Sequence, residues 1–290
     1  MTEQQTVVVG YDGSHFAMQA LDWAMDECEL RELPLTITHA WRWPYGEAPE
    51  EAKLHLRKAA EHVLGHGADC ARASSSVRDI VTDLYEGSPA DRLVQLSSGA
   101  ALVVVGSRGL GALARSVMGS VAGYAAADSH APVIIVRGAG PLPAAAEPGP
   151  VVLGLGPDTP DEALDFAFGE AALRRLPLMA VHAIRPPALA WGVPMAPVPD
   201  LDTVTGAARD RMDERLARWR DRYPEVPAEA RAVLATAKEA LRAASAEASL
   251  LVVGADRARH RGHLGTVVRA MTEHAACPVA VVPADTGARE

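Results

Sequence analysis

The sequence contains two copies of one unit, and this internal repeat constrains the fold more than any other feature. ALDWA at residues 20–24 corresponds to ALDFA at 163–167, and RELPLTITHA at 31–40 corresponds to RRLPLMAVHA at 174–183. Similarity at a spacing of roughly 140 residues indicates a duplicated domain and not a short solenoid repeat.

A Pro-, Gly- and Ala-rich stretch separates the two copies and has the composition of a linker. We therefore predict one domain at residues 1–138, a linker at 139–149 and a second domain at 150–290. A chain of 290 residues is long enough for two domains of ordinary size.

Within each copy, short Val-rich segments alternate with amphipathic segments. In the first copy the pattern predicts strands at 6–10, 34–41, 78–85, 101–106 and 132–137, and helices at 14–31, 48–66, 88–97 and 119–129. Unbroken apolar strands that alternate with helices favour a parallel sheet covered on both faces. We expect an α/β fold of two tandem doubly wound domains, each with a five-stranded parallel sheet flanked by helices. Ser14 is a good N-cap, and TPDE at 159–162 predicts a Thr cap with Pro at the first helical position.

Charge and cysteine content exclude several classes of function. The net charge is −9, and acidic residues outnumber basic ones in both copies, so we expect no nucleic-acid partner. Three cysteines without paired spacing favour a reducing compartment. We see neither a signal peptide at the N-terminus nor an apolar run long enough to cross a bilayer, and we expect a cytoplasmic protein without membrane contact.

Two loops of the first copy have the chemistry of a phosphate and ribose site. Gly106, Gly109 and Gly119 follow the fourth strand, and Ser120 then opens a helix. Glycines let backbone N–H groups approach a phosphate closely, and a helix N-terminus favours an anion. Asp12 follows the first strand, so it is placed to accept a hydrogen bond from a ribose hydroxyl or an adenine amine. Each residue alone has an ordinary structural role, with Asp12 as a turn residue and Ser120 as a helix cap; the combination indicates a nucleotide.

These features resemble the ATP-binding subgroup of the universal stress protein family. The subgroup signature G-x2-G-x9-G-[ST] matches Gly106, Gly109, Gly119 and Ser120 without a mismatch. VVVGYDGS, EGSPADRLVQLS and SHAPVIIVR are also similar to the family, and the resemblance covers both copies, more loosely in the second. It implies the strand order 3-2-1-4-5, which brings the Asp12 loop beside the Gly106 loop.

The resemblance also implies bound ATP with a magnesium ion. Adenine would lie near Asp12 and Ala40, the ribose and phosphate loop would contain Gly106 and Gly109, and the phosphates would be held by Gly119, Ser120 and Val121. Arg108 and Arg115 lie in the same loop, where each is either a phosphate donor or a solvated surface residue.

The second copy has lost part of this pattern. Gly156 stands in place of Asp12 unless Asp158 shifts into that position, and Arg257 stands in place of Gly109, whereas Gly265 and Thr266 are retained. We expect this copy to bind ATP weakly or not at all. The basic residues of its glycine loop would instead contact a phosphate or another protein: Arg257, Arg259, His260, Arg261 and His263. His260 and His263 also have the spacing of a metal pair, which we disfavour because no Cys or carboxylate lies at ligand spacing. His274 and Cys277 are interpreted as structural, and 185–200 as a lid or an interaction loop.

Three functional hypotheses follow. The favoured one is a stress-response regulatory protein, not an enzyme, in which ATP controls conformation or the choice of a protein partner. A slow ATP hydrolase is the second, although the sequence has no Walker lysine motif and no lysine near the glycine loop. The third is an interaction scaffold independent of nucleotide. Because family members often pair through their last strand, we expect either a pseudo-dimer within the chain or a homodimer.

Overall fold

The computed structural model describes residues 5–43, 46, 49–109, 118–137, 148–185, 201–255 and 263–284. The elements of the first half are β1 (Thr6–Gly10), α1 (His15–Arg31), β2 (Leu35–Trp41), α2 (Glu50–Ser74), β3 (Ile80–Glu86), α3 (Pro89–Ser97), β4 (Ala100–Gly106), α4 (Ser120–Asp128) and β5 (Val133–Val136). Those of the second half are β6 (Val151–Gly154), α5 (Asp161–Arg174), β7 (Leu178–Ile184), α6 (Leu201–Arg222), β8 (Ala228–Leu234), α7 (Ala237–Ser245), β9 (Leu250–Ala255), α8 (Thr266–His274) and β10 (Val279–Pro283).

The strands form one ten-stranded sheet in the order β3-β2-β1-β4-β5-β10-β9-β6-β7-β8. Each half has the predicted order 3-2-1-4-5 and parallel pairing, so the α/β fold class is confirmed. The halves join through the antiparallel pair β5–β10, in which Ile134 faces Ala280. Of the two arrangements expected for the last strands, the structure has the one within the chain; association of whole chains stays a prediction.

Two layers of helices cover the sheet. Helices α1, α2, α5 and α6 enclose one apolar core, and α3, α4, α7 and α8 enclose the other. Both cores run continuously across β5 and β10, where every residue from Val133 to Val136 is buried. The two halves are therefore packed as one apolar unit, in keeping with the non-directional nature of hydrophobic burial.

The helix starts show where local sequence signals held and where they failed. Ser14 caps α1 as predicted, since its Oγ accepts a hydrogen bond from the Ala17 N–H at 3.2 Å. The predicted Thr159 cap is wrong: α5 begins at Asp161 with Pro160 in the cap position. Helix α2 extends to Ser74, beyond the predicted end at 66, because Leu64, Ala68 and Ala71 continue its buried face.

A buried ionic cluster joins the halves on the α1–α5 side. Glu27 and Arg31 of α1 and their repeat equivalents Glu170 and Arg174 of α5 form the cluster, and each arginine contacts both glutamates. Both carboxylates are fully buried. Burial, together with the nearby Glu27 charge, raises the pKa of Glu170, while the two arginines oppose that rise. The cluster therefore keeps buried charges at the junction, each with opposite charges beside it.

Among the helices that the structure describes, none combines the length and apolar character that a membrane span requires.

Candidate functional site

The candidate site lies at the carboxyl ends of β1 and β4, which are neighbours in the sheet. In a doubly wound fold this edge is where strand order reverses and where ligands bind. The loop after β1 carries Asp12, and the loop after β4 runs from Ser107 to Gly119. Residues 110–117 of the second loop, including Arg115, lie outside the described residues.

Backbone hydrogen bonds fix the Asp12 loop. The Tyr11 N–H donates to the Thr38 carbonyl at 2.9 Å, and the Asp12 Oδ1 accepts from the Ser14 N–H at 3.0 Å in a tight turn. His39 donates from Nδ1 to the Tyr11 carbonyl at 2.7 Å. Hydrogen bonds thus fix the backbone before Asp12, at Tyr11, and the Ser14 N–H after it holds one oxygen of the carboxylate.

The loop after β4 is closed at its base. The Gly119 N–H donates to the Ser107 carbonyl at 3.0 Å, which places the start of α4 beside the end of β4. Gly119 occupies the cap position of α4 without a side-chain cap, and Ser120 is the first helical residue with an exposed side chain. The structural role proposed for Ser120, that of a helix cap, is therefore wrong. Amide N–H groups in the first turn of a helix lack intrahelical acceptors, so they favour an anion.

Asp12 and Gly109 lie side by side, and a side chain at position 109 would have to displace the Asp12 carboxylate. A Cβ placed on Gly109 would lie 2.5 Å from Asp12 Oδ2, far inside the contact limit. The carboxylate that follows β1 and the glycine loop that follows β4 are therefore brought together, as the sequence predicted. The arrangement presents a carboxylate acceptor and a helix N-terminus on one edge.

Gly106 has a reason for being glycine that lies within the protein. A Cβ at this position would lie 2.7 Å from the Phe16 carbonyl oxygen at the start of α1. Its equivalent Gly254 is similar, since a Cβ there would lie 2.3 Å from Pro160 Cδ. Close packing of a helix start on a strand end therefore explains both glycines, and the resemblance alone assigns Gly106 to a ribose and phosphate loop.

The remaining predicted residues lie at the same edge. Arg108 places its guanidinium 5.4 Å from the centroid of the Phe16 ring, and its charge contributes after burial to the lowered pKa of Arg137. Ala40 is half-buried and lies two residues beyond Thr38, the register partner of Gly10. Val121 is half-buried in the first turn of α4.

Sequence reasoning missed a polar network beneath the site. Asp83 of β3 accepts hydrogen bonds from Thr38 Oγ1 at 2.7 Å and from two nitrogens of Arg92 at 2.6 and 2.9 Å. Hydrogen bonding by Arg92 lowers the pKa of Asp83 against the opposing effect of burial. Arg92 also lies over the Tyr85 ring at 5.1 Å. No local motif marks this network, because its members come from separate elements.

Sequence reasoning also missed a histidine shared by the two repeats. His182 of β7 donates from Nδ1 to the Leu155 carbonyl at 2.8 Å, as His39 does to the Tyr11 carbonyl in the first half. The signal was present in the aligned segments THA and VHA. These histidines fix the first loop of each half and act there as structural residues.

The corresponding loop of the second half is built differently. The Gly156 N–H donates to Thr159 Oγ1 at 2.8 Å, and Arg215 donates to the carbonyls of Gly156 and Thr159. Asp158 is exposed. Gly265 caps α8 without a side-chain hydrogen bond, as Gly119 does in α4. Arg257, Arg259, His260 and Arg261 lie outside the described residues, as do 186–200 of the predicted lid segment.

Comparison with known proteins identifies the family of the chain. The universal stress protein family model matches twice, at residues 4–137 and 149–283. The chain belongs to the universal stress protein family. A universal stress protein of Mycobacterium tuberculosis H37Rv is 31% identical over 293 residues, covering 96% of this chain and 97% of that protein. One from Mycolicibacterium smegmatis is 32% identical, covering 95% and 96%.

A solved structure shares the architecture of the universal stress protein described here. The crystal structure of a universal stress protein from Archaeoglobus fulgidus aligns with a TM-score of 0.72 at 16% sequence identity, covering 98% of both chains. At this level of identity the likeness shows the fold.

Proposed function

We propose that this universal stress protein is an ATP-binding regulatory protein in which the first half holds the nucleotide and no reaction is catalysed. The observation that carries the proposal is the close approach of Asp12 and Gly109. The Asp12 carboxylate lies where a side chain at position 109 would begin, and a nucleotide loop needs its backbone close to the ligand. The uncapped start of α4 on the same edge supports the proposal.

In this proposal each group has one task. The Asp12 carboxylate accepts hydrogen bonds from the ribose hydroxyls, and the first-turn N–H groups of α4 with the Ser120 hydroxyl donate to the phosphates. Magnesium accompanies the phosphates, which with water supply most of its ligands; the described residues contain no group of three or more side chains that could hold a metal by themselves. Binding at the carboxyl ends of β1 and β4 changes the surface offered to a protein partner in the cytoplasm.

Isothermal titration of ATP with magnesium tests the proposal. Wild type should bind one ATP per chain, and Asp12→Ala should weaken binding by about tenfold or more, because a hydrogen bond to a charged group contributes roughly 1.5–3 kcal/mol. Gly109→Ala should also weaken binding, because its Cβ would displace the Asp12 carboxylate. Asp158→Ala, an exposed acid in the equivalent loop of the second half, is the matched control and should change the affinity by less than about twofold.

Three results would contradict the proposal. Wild type that binds no ATP would leave a nucleotide-independent scaffold. An affinity that falls in Asp158→Ala and not in Asp12→Ala would move the site to the second half. Steady phosphate release that Asp12→Ala abolishes would make the protein an ATP hydrolase. Thermal unfolding of each variant separates loss of binding from loss of the fold.

A further inference from the structure

The second half contains a cavity at the carboxyl ends of β6, β7 and β9. Its volume is about 410 Å³, within the range of small-molecule sites. Among the described residues that line it, most of the surface comes from apolar side chains: Leu155, Val181, Ala183, Leu241, Val253, Leu264, Val267 and Val268. Polar side chains of Asp158, Thr159, His182, His263 and Thr266 complete this part of the wall. The cavity occupies the position of the nucleotide site of the first half, but its surface is that of an apolar pocket.

The polar groups of the loop in this cavity are already engaged by the protein. The Gly156 N–H donates to Thr159 Oγ1, and the carbonyls of Gly156 and Thr159 accept hydrogen bonds from Arg215. Thr159 Oγ1 also donates to the Gly154 carbonyl at 3.2 Å. Position 156 carries no carboxylate, and Asp158, the acid of this loop that lines the cavity, lies two positions further along and is exposed. A ribose placed against these engaged groups would lose hydrogen bonds to water without replacing them, and that loss is costly.

The wall is completed by the other half of the chain. Ala127, one residue before the end of α4, lines the cavity together with residues of α7 and α8. The cavity is therefore closed on that side only when the halves are joined through β5 and β10. Helix α4 begins at the glycine loop of the first half and reaches the cavity of the second.

We propose that this cavity binds a small apolar molecule of one to three rings, or of equivalent hydrocarbon size. Pockets of this size with mainly apolar lining bind small molecules because contact with an apolar ligand removes apolar surface from water. The proposal goes beyond ATP binding in the first half and does not depend on it.

Fluorescence titration with N-phenyl-1-naphthylamine, an uncharged apolar probe, tests the proposal in the full-length protein without nucleotide. Two matched variants fill equivalent positions: Ala183→Phe in β7 narrows the proposed cavity, and Ala40→Phe in β2 narrows the first-half site. Wild type should bind one probe per chain, Ala183→Phe should weaken binding at least tenfold, and Ala40→Phe should change it less than twofold.

A second cavity variant, Ala255→Leu at the end of β9, keeps the test possible if Ala183→Phe does not fold. Thermal unfolding checks that both variants are folded. Folded wild type that binds no probe, or binding unchanged in both cavity variants, would overturn the proposal. A loss in Ala40→Phe as large as that in Ala183→Phe would do the same, since it would place the probe elsewhere. Because no nucleotide is present, failure of the first-half ATP site leaves this result unaffected.

Discussion

The loops after β1 and β6 share a backbone frame and differ in chemistry. In each, the first residue donates its N–H to the neighbouring strand, Tyr11 to Thr38 and Leu155 to Val181, and accepts from a histidine. The first loop then presents a carboxylate. In the second loop the Gly156 N–H donates to Thr159 and the Gly156 carbonyl accepts from Arg215. The frame belongs to the duplicated fold, and a few side chains on it decide what each half can bind.

The ionic cluster between α1 and α5 tests how far the two halves are equivalent. Glu27→Ala and Glu170→Ala should each lower the free energy of unfolding by roughly 3–5 kcal/mol, because each leaves two arginines beside a single carboxylate in a buried site. Glu27 also accepts from Trp23 Nε1 at 2.9 Å, and Phe166 replaces that tryptophan in the second half. Glu27→Ala should therefore cost about 1 kcal/mol more.

Urea unfolding at neutral pH measures the difference between the two glutamates. Glu61→Ala, an acid on the exposed face of α2, is the control and should stay within about 0.5 kcal/mol of wild type. If both cluster variants unfold like the control, the cluster does not stabilise the junction. Equal losses in the two would show that the Trp23 hydrogen bond adds nothing.

The glycines after β4 and β9 provide a second comparison. Gly106→Ala and Gly254→Ala should each destabilise the protein by roughly 1–3 kcal/mol, because the new Cβ would meet a helix backbone or a proline ring. Gly119→Ala should change stability little, since its Cβ would have no contact closer than 3.5 Å. Thermal unfolding of the three variants checks this order, and a loss in Gly119→Ala equal to the other two would contradict it.

Much of the architecture could be predicted from the repeat and the alternating pattern, because buried parallel strands and capped helices leave local signals. Ser14 is an example, since the cap and its helix lie within a few residues. The joining of β5 to β10 could not be chosen from the sequence, because an apolar edge strand pairs equally well within a chain or between chains. Thr159 failed as a cap because the Gly156 N–H engages its hydroxyl.

In the candidate site, the strand order that the family resemblance implies predicted which loops would meet. It did not predict why each glycine is needed. Gly109 is packed on the carboxylate of Asp12, and Gly106 on the backbone carbonyl of Phe16. Both partners lie near the start of the domain sequence, far from these glycines along the chain. The Asp83 network escaped notice for the same reason, since Thr38, Asp83 and Arg92 approach one another only when β2, β3 and α3 are packed.

The Asp83 network gives the smallest expected effect on stability. It also predicts that the two halves differ in their sensitivity to acid. In the second half Val181 and Arg231 occupy the register positions of Thr38 and Asp83. Since the pKa of Asp83 is lowered in the folded state, its stabilising contribution is complete above the unfolded value of about 3.9. The contribution is lost as pH falls through the folded value.

Asp83→Asn should therefore lower stability by about 1 kcal/mol at pH 7, a modest figure because the pair is partly exposed to solvent. The difference in stability from wild type should begin to narrow below about pH 4, where the carboxyl of the unfolded chain takes up its proton. It should close below the lowered pKa of Asp83 in the folded protein. Denaturant unfolding across this range measures the gap, with Arg231→Gln as the matched change in β8. A gap that stays the same at low and neutral pH would mean that Asp83 acts through packing and not through its charge.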